Sequence, residues 1–173
     1  MNEIIQNIIT RRSCKSYRSD PVPAELIDQV VEAGLFAASA GGSQSPIILA
    51  AANKEDRDEI SRLNAKYDPK KRADPFYNAP VVLSVLIPKG QSIAVCDGSL
   101  VIGNMLLAAH SLGLGSCWIH RAKDVFEDED GKALLKKAGI TGDWEGVAHC
   151  ILGYAEKENS QIVPRKDHRV YKL

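Results

Sequence analysis

The chain has 173 residues, of which 45% are hydrophobic and 25% are charged, so it is long enough to bury the core of one domain. Its 22 lysines and arginines equal its 22 aspartates and glutamates, which argues against wholesale binding to nucleic acid or to an anionic membrane. We therefore expect a single domain over residues 1–173. Because the whole chain carries no net charge, a cluster of positive charge in it reflects a local role.

The four cysteines are spread widely along the chain, and no C-x-x-C pair or histidine pair stands at the spacing of a metal site. Four thiols without an N-terminal secretion signal are typical of a reducing compartment. The apolar segment around residues 100–112 is too short and too polar to span a bilayer. We expect a cytoplasmic protein with no resident metal ion and no membrane partner.

Helices and strands alternate through the first half of the chain. Four isoleucines in residues 1–10 recur at helical spacing, which predicts a short amphipathic helix. Pro23 indicates the first turn of a second helix. The apolar run at 47–53 predicts a buried strand, the charged segment 54–67 a third helix, and the proline-rich segment 68–80 a surface loop.

The second half continues this alternation. An apolar run predicts a strand at 81–87. Residues 93–112 are apolar on nearly every side, which predicts a helix that is buried on several faces or at a subunit interface. Further strands are expected at 116–120 and 146–155, with a helix between them at 127–139. This order of elements predicts an α/β or α+β sandwich.

A cluster of positive charge follows the first predicted helix, since four of the eight residues at 11–18 are basic. One interpretation is a solvated helix end, where the helix dipole alone favours cations. The other is a site for an anion, because guanidinium groups match phosphate oxygens and Ser13 adds a hydroxyl. A second basic group in the tail, Arg165 with Lys166, favours the anion site.

Two small-residue segments, AGGSQSP at 40–46 and GLGS at 113–116, connect predicted helices to strands. Neither is a P-loop, because the Gly-Lys-Ser/Thr ending is absent, and neither is a dinucleotide fingerprint, because the glycines follow helices. They are either ordinary connections or places where backbone approaches a flat ring closely. His110, His149 and Cys117 are more consistent with packing than with catalysis.

Five stretches stand in a characteristic order: RRSCKSY at 11–17, AASAGGSQSP at 37–46, NAPVVL at 78–83, DGSLVIGNMLLAAHSLGLGSCWIH at 97–120 and PRK at 164–166. Together they resemble the nitroreductase family of FMN-dependent oxidoreductases over nearly the whole chain. The resemblance implies an α+β fold in which helices flank a central, mostly antiparallel sheet. It also implies an intertwined homodimer with FMN at the interface.

The resemblance assigns several residues of the basic cluster to FMN. Arg12 and Ser13 are expected along the ribityl chain and the pyrimidine. Lys15 is expected beside N1 and the C2 carbonyl, where a cation favours the reduced flavin. The residues expected near the phosphate are Arg11, Arg165 and Lys166.

Two further segments are assigned by the same resemblance. The loop that the partner subunit lays against the flavin ring corresponds to Ala38, Ser39, Ala40 and Gly42. The segment whose backbone faces the ring corresponds to Cys117, Trp118, Ile119 and His120, with an N–H near Ile119 or His120 directed at flavin N5.

The chain departs from many relatives at two of these positions. Ala38 stands where they have proline, and Gly42 stands where they have asparagine, so an amide contact from that position is lost. The chain is also shorter than the larger nitroreductases, and their substrate range is therefore not transferred to it.

These assignments predict an FMN-dependent oxidoreductase. Hydride would pass from NADH or NADPH through flavin N5 to an acceptor such as a nitroaromatic or a quinone, in a ping-pong cycle. The flavin supplies the chemistry, so no side chain is named as catalytic. Two alternatives stay open: an FMN-binding module that stores the cofactor or senses its redox state without turnover, and a protein whose solvated basic clusters bind no cofactor. The choice between NADH and NADPH also stays open.

Overall fold

An antiparallel sheet forms the centre of the computed structural model, which describes residues 1–157 and 161–173. Its strands in chain order are β1 Ile47–Ala51, β2 Val81–Pro88, β3 Gly115–Ile119 and β4 Trp144–Gly153. In space they are ordered β1, β2, β4, β3. The two middle strands, β2 and β4, are largely apolar because elements cover both faces of the sheet there.

Within the described residues, six α-helices pack around this sheet: α1 Glu3–Thr10, α2 Ala24–Leu35, α3 Lys54–Lys66, α4 Ala94–Ser111, α5 Ala122–Glu127 and α6 Glu129–Lys137. A 3₁₀ turn, Ala40–Gly42, precedes β1. The side chains of Asn2, Asn53 and Asp128 accept hydrogen bonds from backbone N–H groups in the first turns of α1, α3 and α6. Polar residues therefore define where these three helices begin.

The α+β class and the mostly antiparallel sheet predicted from the sequence are confirmed. The helix predicted over 127–139 corresponds to α6, whereas the pattern misses α5, a separate helix that precedes it and meets it at Asp128. Asp128 is extended, with φ −66° and ψ 145°, so it ends α5 and caps α6. Helix α5 has six residues, which are too few to show a helical period in the sequence.

The sheet separates two parts of the hydrophobic core. On one face, side chains of α3, α5 and α6 pack on the sheet, among them Ile60, Phe126 and Leu135. On the other face, α2 and α4 supply Val30, Ile102 and Met105. The last residue of α2, Leu35, is exposed.

Helix α4 packs closely against both α2 and the sheet. A Cβ atom on Gly98 would lie 2.7 Å from Val147 Cγ2, and one on Gly34 would lie 2.7 Å from Met105 Cγ, so these glycines permit the close approach. The outer side of α4 is apolar as well, and Leu100 on that side is 50% exposed. Within a single chain, this part of the outer side of α4 is therefore left exposed.

No helix in the described part of the chain has the length and apolar character needed to cross a membrane. Among the same residues, no group of three or more histidine, cysteine or carboxylate side chains could hold a metal ion. The four cysteines are present as free thiols.

His149 on β4 is fully buried between the rings of Phe76 and Phe126, whose centroids lie 5.2 Å and 6.0 Å from the imidazole. A hydrogen bond of 2.7 Å joins its Nδ1 to Ser84 Oγ. Burial, reinforced by the positive charge of Arg121, lowers the pKa of His149 to about 3. The folded protein therefore keeps this imidazole neutral at pH values where an unfolded chain protonates it.

Acid is expected to destabilise the protein through His149. Because folding lowers its pKa, the unfolded chain binds a proton below about pH 6.5 that the folded chain binds only near pH 3. The contribution is complete above about pH 6.5 and is lost as the pH falls, by roughly 1.4 kcal/mol per pH unit in this window. Urea unfolding between about pH 7 and pH 5 measures this slope.

The matched variant is His149→Asn, in which the amide can still bond to Ser84 but does not titrate. Its free energy of unfolding should vary less with pH than that of the parent chain. Equal pH slopes for the two proteins would contradict the assignment.

Candidate functional site

The basic segment, residues 11–18, lies along the outer edge of β3. Ser13 pairs with Ser116 of β3 in a parallel β-bridge. Farther along, Tyr17 pairs with Ala155, just beyond the end of β4. These two pairings attach the segment to the sheet at both ends, so the side chains between them have defined positions.

Contacts with α4 fix the place where the basic segment begins. Asn7 Nδ2 donates to the carbonyl oxygen of Leu107 at 3.0 Å, and Thr10 Oγ1 lies 2.9 Å from His110 Nε2. The end of α1 is therefore held against the C-terminal part of α4, and the basic segment starts at that end of the molecule.

Two glycines let the basic segment approach the sheet closely. A Cβ atom on Gly115 would lie 2.9 Å from both Cβ and Sγ of Cys14. One on Gly153 would lie 2.9 Å from the ring of Tyr17 and 2.6 Å from Pro80. Side chains at these positions would displace the segment, so the glycines are a condition for its placement.

The two arginines of this segment carry buried nitrogens without partners. Arg12 donates through Nε to the carbonyl oxygen of Gln161 at 2.9 Å and through Nη1 to that of Ile9 at 2.8 Å. Its Nη2, and Nη1 of Arg11, are buried and have no hydrogen-bond partner in the part of the chain that the structure describes. Burying a cationic N–H without a partner is costly, so both atoms are suited to an acceptor other than the described residues, such as a bound anion.

A cavity of about 360 Å³ opens beside the basic segment, within the range of roughly 300–1,000 Å³ that is usual for small-molecule sites. Burial, together with the charges of Arg11 and Arg12, lowers the pKa of His110 in its wall, so this imidazole is neutral near pH 7. The residues that line this cavity include Thr10, Arg12, Ser13, His110, Gly113 and Lys157.

Cys117 on β3 faces the same group of residues. Burial raises the pKa of its thiol, and the Ser13 hydroxyl and the charges of Lys15 and Arg11 offset only part of that rise. The thiol therefore stays protonated at neutral pH and is not an activated nucleophile. Cys117 directly follows Ser116, the residue that pairs with Ser13, so it lies beside the basic segment.

Trp118 and His120 form a second pair at the end of β3. Trp118 Nε1 donates to His120 Nδ1 at 3.2 Å, and the two rings meet edge to face at 5.8 Å between centroids. Side chains alternate along a strand, so Trp118 lies on the opposite face from Cys117 and Ile119. The pattern predicts a strand through His120, whereas β3 ends at Ile119.

The loop at 38–42 lies at the other end of α4. The Ala40 N–H donates to Asp97 Oδ1 at 3.0 Å, and Asp97 is buried in the first turn of α4. Within the loop, Ser39 Oγ accepts from the Gln44 N–H at 3.0 Å. Gly42 has φ 68°, in the left-handed region that glycine and asparagine both tolerate. The loop can therefore keep this backbone conformation although glycine replaces the asparagine of many relatives.

These positions separate the loop from the basic segment within one chain. Asp97 and His110 anchor the two regions and stand thirteen residues apart on α4, which corresponds to about 20 Å along the helix axis. Of the residues predicted for the site, one chain thus brings Arg11, Arg12, Ser13, Lys15 and Cys117 together and leaves Ala38, Ser39, Ala40 and Gly42 elsewhere.

The basic tail residues Arg165 and Lys166 are exposed, beside His168 and Arg169. The tail meets the basic segment at a different point, where Gln161 accepts the hydrogen bond from Arg12. The closeness of Arg165 and Lys166 to a phosphate stays a prediction.

Sequence reasoning missed a buried polar cluster behind the end of β3. Asn64 of α3 donates through Nδ2 to the carbonyl oxygen of His120 at 2.8 Å. Its Oδ1 accepts from Nε and Nη2 of Arg121 at 3.1 Å and 2.9 Å, and Arg121 Nη1 lies 3.6 Å from Asp68 Oδ1. Asn64 stands in a strongly charged helix with no local signal of burial, so the sequence alone did not single it out.

A family model described as the Nitroreductase family matches residues 8–66 and 64–154. These ranges include β1 to β4 and the whole basic segment. The chain therefore belongs to the nitroreductase family, and the resemblance stated from its motifs is confirmed.

Similar proteins include the NAD(P)H FMN reductase of Bacillus subtilis, which is 31% identical over 132 residues. That alignment covers 67% of this chain and 53% of the relative. A protein from Methanothermobacter thermautotrophicus is 32% identical over 120 residues, which cover 67% of this chain and 60% of the relative. The chain thus spans little more than half the length of these two proteins.

Two crystal structures of nitroreductases with bound FMN align with the whole of this chain and over their own full length. The protein from Bacteroides fragilis has a TM-score of 0.88 and 28% identity. The protein from Desulfitobacterium hafniense has the same TM-score and 24% identity, which supports the fold alone.

Proposed function

We propose that this chain is an FMN-dependent oxidoreductase, with residues 1–173 acting as one FMN-binding domain. It would transfer hydride from NADH or NADPH through flavin N5 to an acceptor such as a nitroaromatic or a quinone, in a ping-pong cycle. The observation that carries the proposal is the pair of buried, unpartnered guanidinium nitrogens on Arg11 and Arg12 in the described structure. The FMN phosphate would satisfy the Arg11 nitrogen through a charge-assisted hydrogen bond, and oxygens of the ribityl chain or pyrimidine would satisfy the Arg12 nitrogen.

The residues around the outer edge of β3 suit the rest of the cofactor. Ser13 offers a hydroxyl toward the ribityl chain and pyrimidine, and Lys15 offers a cation toward N1 and the C2 carbonyl. When bound, FMN supplies the hydride chemistry, and a cation at that place favours the reduced form. The backbone of Cys117, Trp118, Ile119 and His120 would face the ring, and Arg165 and Lys166 would add charge near the phosphate.

The protonation states near the cavity support a site without a side-chain acid or base. The pKa of the Cys117 thiol is raised mainly by burial, and the pKa of His110 is lowered mainly by burial. Both groups are therefore uncharged near pH 7. Neither is required by hydride transfer, because the cofactor performs that step.

A complete site would need two copies of the chain. The 38–42 loop and the basic segment are anchored about 20 Å apart on α4, so one copy does not hold both against the same ring. Apolar side chains near the loop and on the outer side of α4 are exposed in one copy, with Phe36 81% and Leu100 50% exposed. Such apolar surface supports a homodimer in which the partner's loop covers the flavin.

The proposed location is the cytoplasm. Four free thiols, two of them buried, suit a reducing compartment, and a supply of NADH or NADPH is needed for the proposed reaction.

Replacing Leu100 by aspartate is expected to convert a dimer to monomers and to release FMN with it. The carboxylate would be desolvated at the interface without a partner, whereas it is solvated in a monomer. Sedimentation velocity measures the assembly, and flavin fluorescence measures the released cofactor. Thr141→Asp, at an exposed position between α6 and β4, is the matched control for added charge. An L100D protein that remains dimeric with FMN bound would contradict the proposed interface.

Arg11→Ala is expected to weaken FMN binding roughly 10- to 100-fold, because a charge-assisted hydrogen bond is worth about 1.5–3 kcal/mol. Titration of flavin-free protein with FMN gives the dissociation constant. Arg62→Ala removes an exposed arginine of α3 and should leave that constant unchanged. Equal FMN affinity in the parent chain and Arg11→Ala would rule out Arg11 as a phosphate ligand.

Anaerobic absorption spectra before and after addition of NADH, and separately NADPH, test the function directly. Flavin bands that bleach, and that return when a quinone or nitroaromatic is added, are expected of the ping-pong cycle. Bands that persist would favour the module that stores or senses FMN. Protein that takes up no FMN would exclude both.

A further inference from the structure

The turn after β3 contains a residue in an unusual backbone conformation. Arg121 has φ 77° and ψ 12°, in the left-handed region that residues with a side chain seldom adopt. It lies between the end of β3 and the first residue of α5. Such a conformation costs free energy and persists only where surrounding contacts hold it.

Those contacts come from the buried polar cluster of Asn64, Asp68 and Arg121. Asn64 is fully buried and uses both ends of its amide, since Nδ2 donates to the His120 carbonyl and Oδ1 accepts twice from the Arg121 guanidinium. One side chain thus holds the carbonyl of His120 and the side chain of Arg121 in a fixed relation. No other residue type of similar size offers a donor and an acceptor in this arrangement.

Asp68 completes the cluster from the end of α3. Its carboxylate is 1% exposed and pairs with Arg121 at 3.6 Å and with Arg72 at 2.7 Å. Burial alone would raise its pKa, but backbone N–H groups of Lys70 and Arg72 and the two guanidinium charges lower it. The carboxylate therefore stays ionised and fixes the Arg121 guanidinium, which in turn fixes Asn64.

His120, which precedes Arg121 in the same turn, is also held by hydrogen bonds. His120 Nδ1 accepts from Trp118 Nε1 at 3.2 Å, so the residue is held at its carbonyl oxygen and at its ring. Ile119 before it is paired with His149 in the sheet. The backbone from Ile119 to Arg121 is thus fixed from α3, from β3 and from β4.

We infer that Asn64 and Arg121 are positioning residues that fix the Ile119–His120 backbone at the orientation needed for hydride transfer. This inference rests on the proposed function, in which that backbone faces the flavin ring. Neither side chain needs to touch the cofactor, because each acts through the peptide that it holds. Hydride transfer is sensitive to placement, and displacements of about 1 Å can cost roughly 100-fold in rate.

The primary variant is Asn64→Asp, which keeps an oxygen for Arg121 but loses the amide that donates to the His120 carbonyl. Stopped-flow reduction by NADH or NADPH in the FMN-loaded protein is expected to slow at least about tenfold, while the FMN dissociation constant and KM stay within about threefold. Hydrogen exchange in the flavin-free protein is expected to show faster exchange at the Ile119–Arg121 amides.

Arg121→Gly is the second variant, for use if Asn64→Asp does not fold. Glycine adopts φ 77° without strain, so this substitution removes the guanidinium while the turn itself remains allowed. It should slow reduction in the same way, and Arg121→Lys should restore less than the parent rate because lysine lacks the planar fork. Arg62 lies on the same helix as Asn64 but is exposed, so Arg62→Ala should change neither the rate of flavin reduction nor the amide exchange at residues 119–121.

Reduction rates within about twofold of the parent in a folded variant with FMN bound would overturn the inference. Unchanged amide exchange at residues 119–121 would overturn it as well. If the parent chain itself binds FMN but is not reduced, the proposed function has failed, and amide exchange alone then decides whether Asn64 holds this turn.

Discussion

Positive charge held against the outer edge of the sheet is the constraint on which the site depends. Arg11 and Arg12 bring guanidinium nitrogens into a buried position where no protein atom described in the structure satisfies them. Three contacts hold the arginines in this position despite the cost: α1 packs on α4, the basic segment pairs with β3, and Gly115 leaves room for the segment. Among the described residues, these two guanidinium nitrogens therefore stay available for a bound acceptor such as the anion proposed above.

Much of the fold could be predicted from the sequence because the strands are apolar runs and the longer helices show a clear period. Helix α5 could not be predicted, since it has only six residues and follows Arg121, whose backbone is in the left-handed conformation. So short a helix shows no period in the sequence. The burial of Asn64 was equally hidden, because its partners, His120 and Arg121, stand more than fifty positions away. Long-range hydrogen bonds of this kind leave no trace in spacing or composition.

The candidate site was likewise predictable from the sequence only in part. Arg11, Ser13 and Lys15 are neighbours in sequence, so their grouping follows from one short extended segment, and Cys117 joins them through the bridge between Ser13 and Ser116. The loop around Ala40 belongs to the opposite end of α4, a separation set by helix length that motif order does not reveal. Arg165 and Lys166 lie in an exposed tail outside the regular helices and strands, so no sequence period predicts where they lie.

The pairing of the basic segment with β3 also affects how the protein behaves in solution. The outer strand of any sheet presents a row of unpaired N–H and C=O groups, which can recruit a strand from another molecule. Here Ser13 and its neighbours cover that row at Ser116, and the strand beneath has only five residues. The pairing of Ser13 with Ser116 therefore also protects against edge-to-edge aggregation, so that resistance to aggregation and the order of the basic segment depend on the same few contacts.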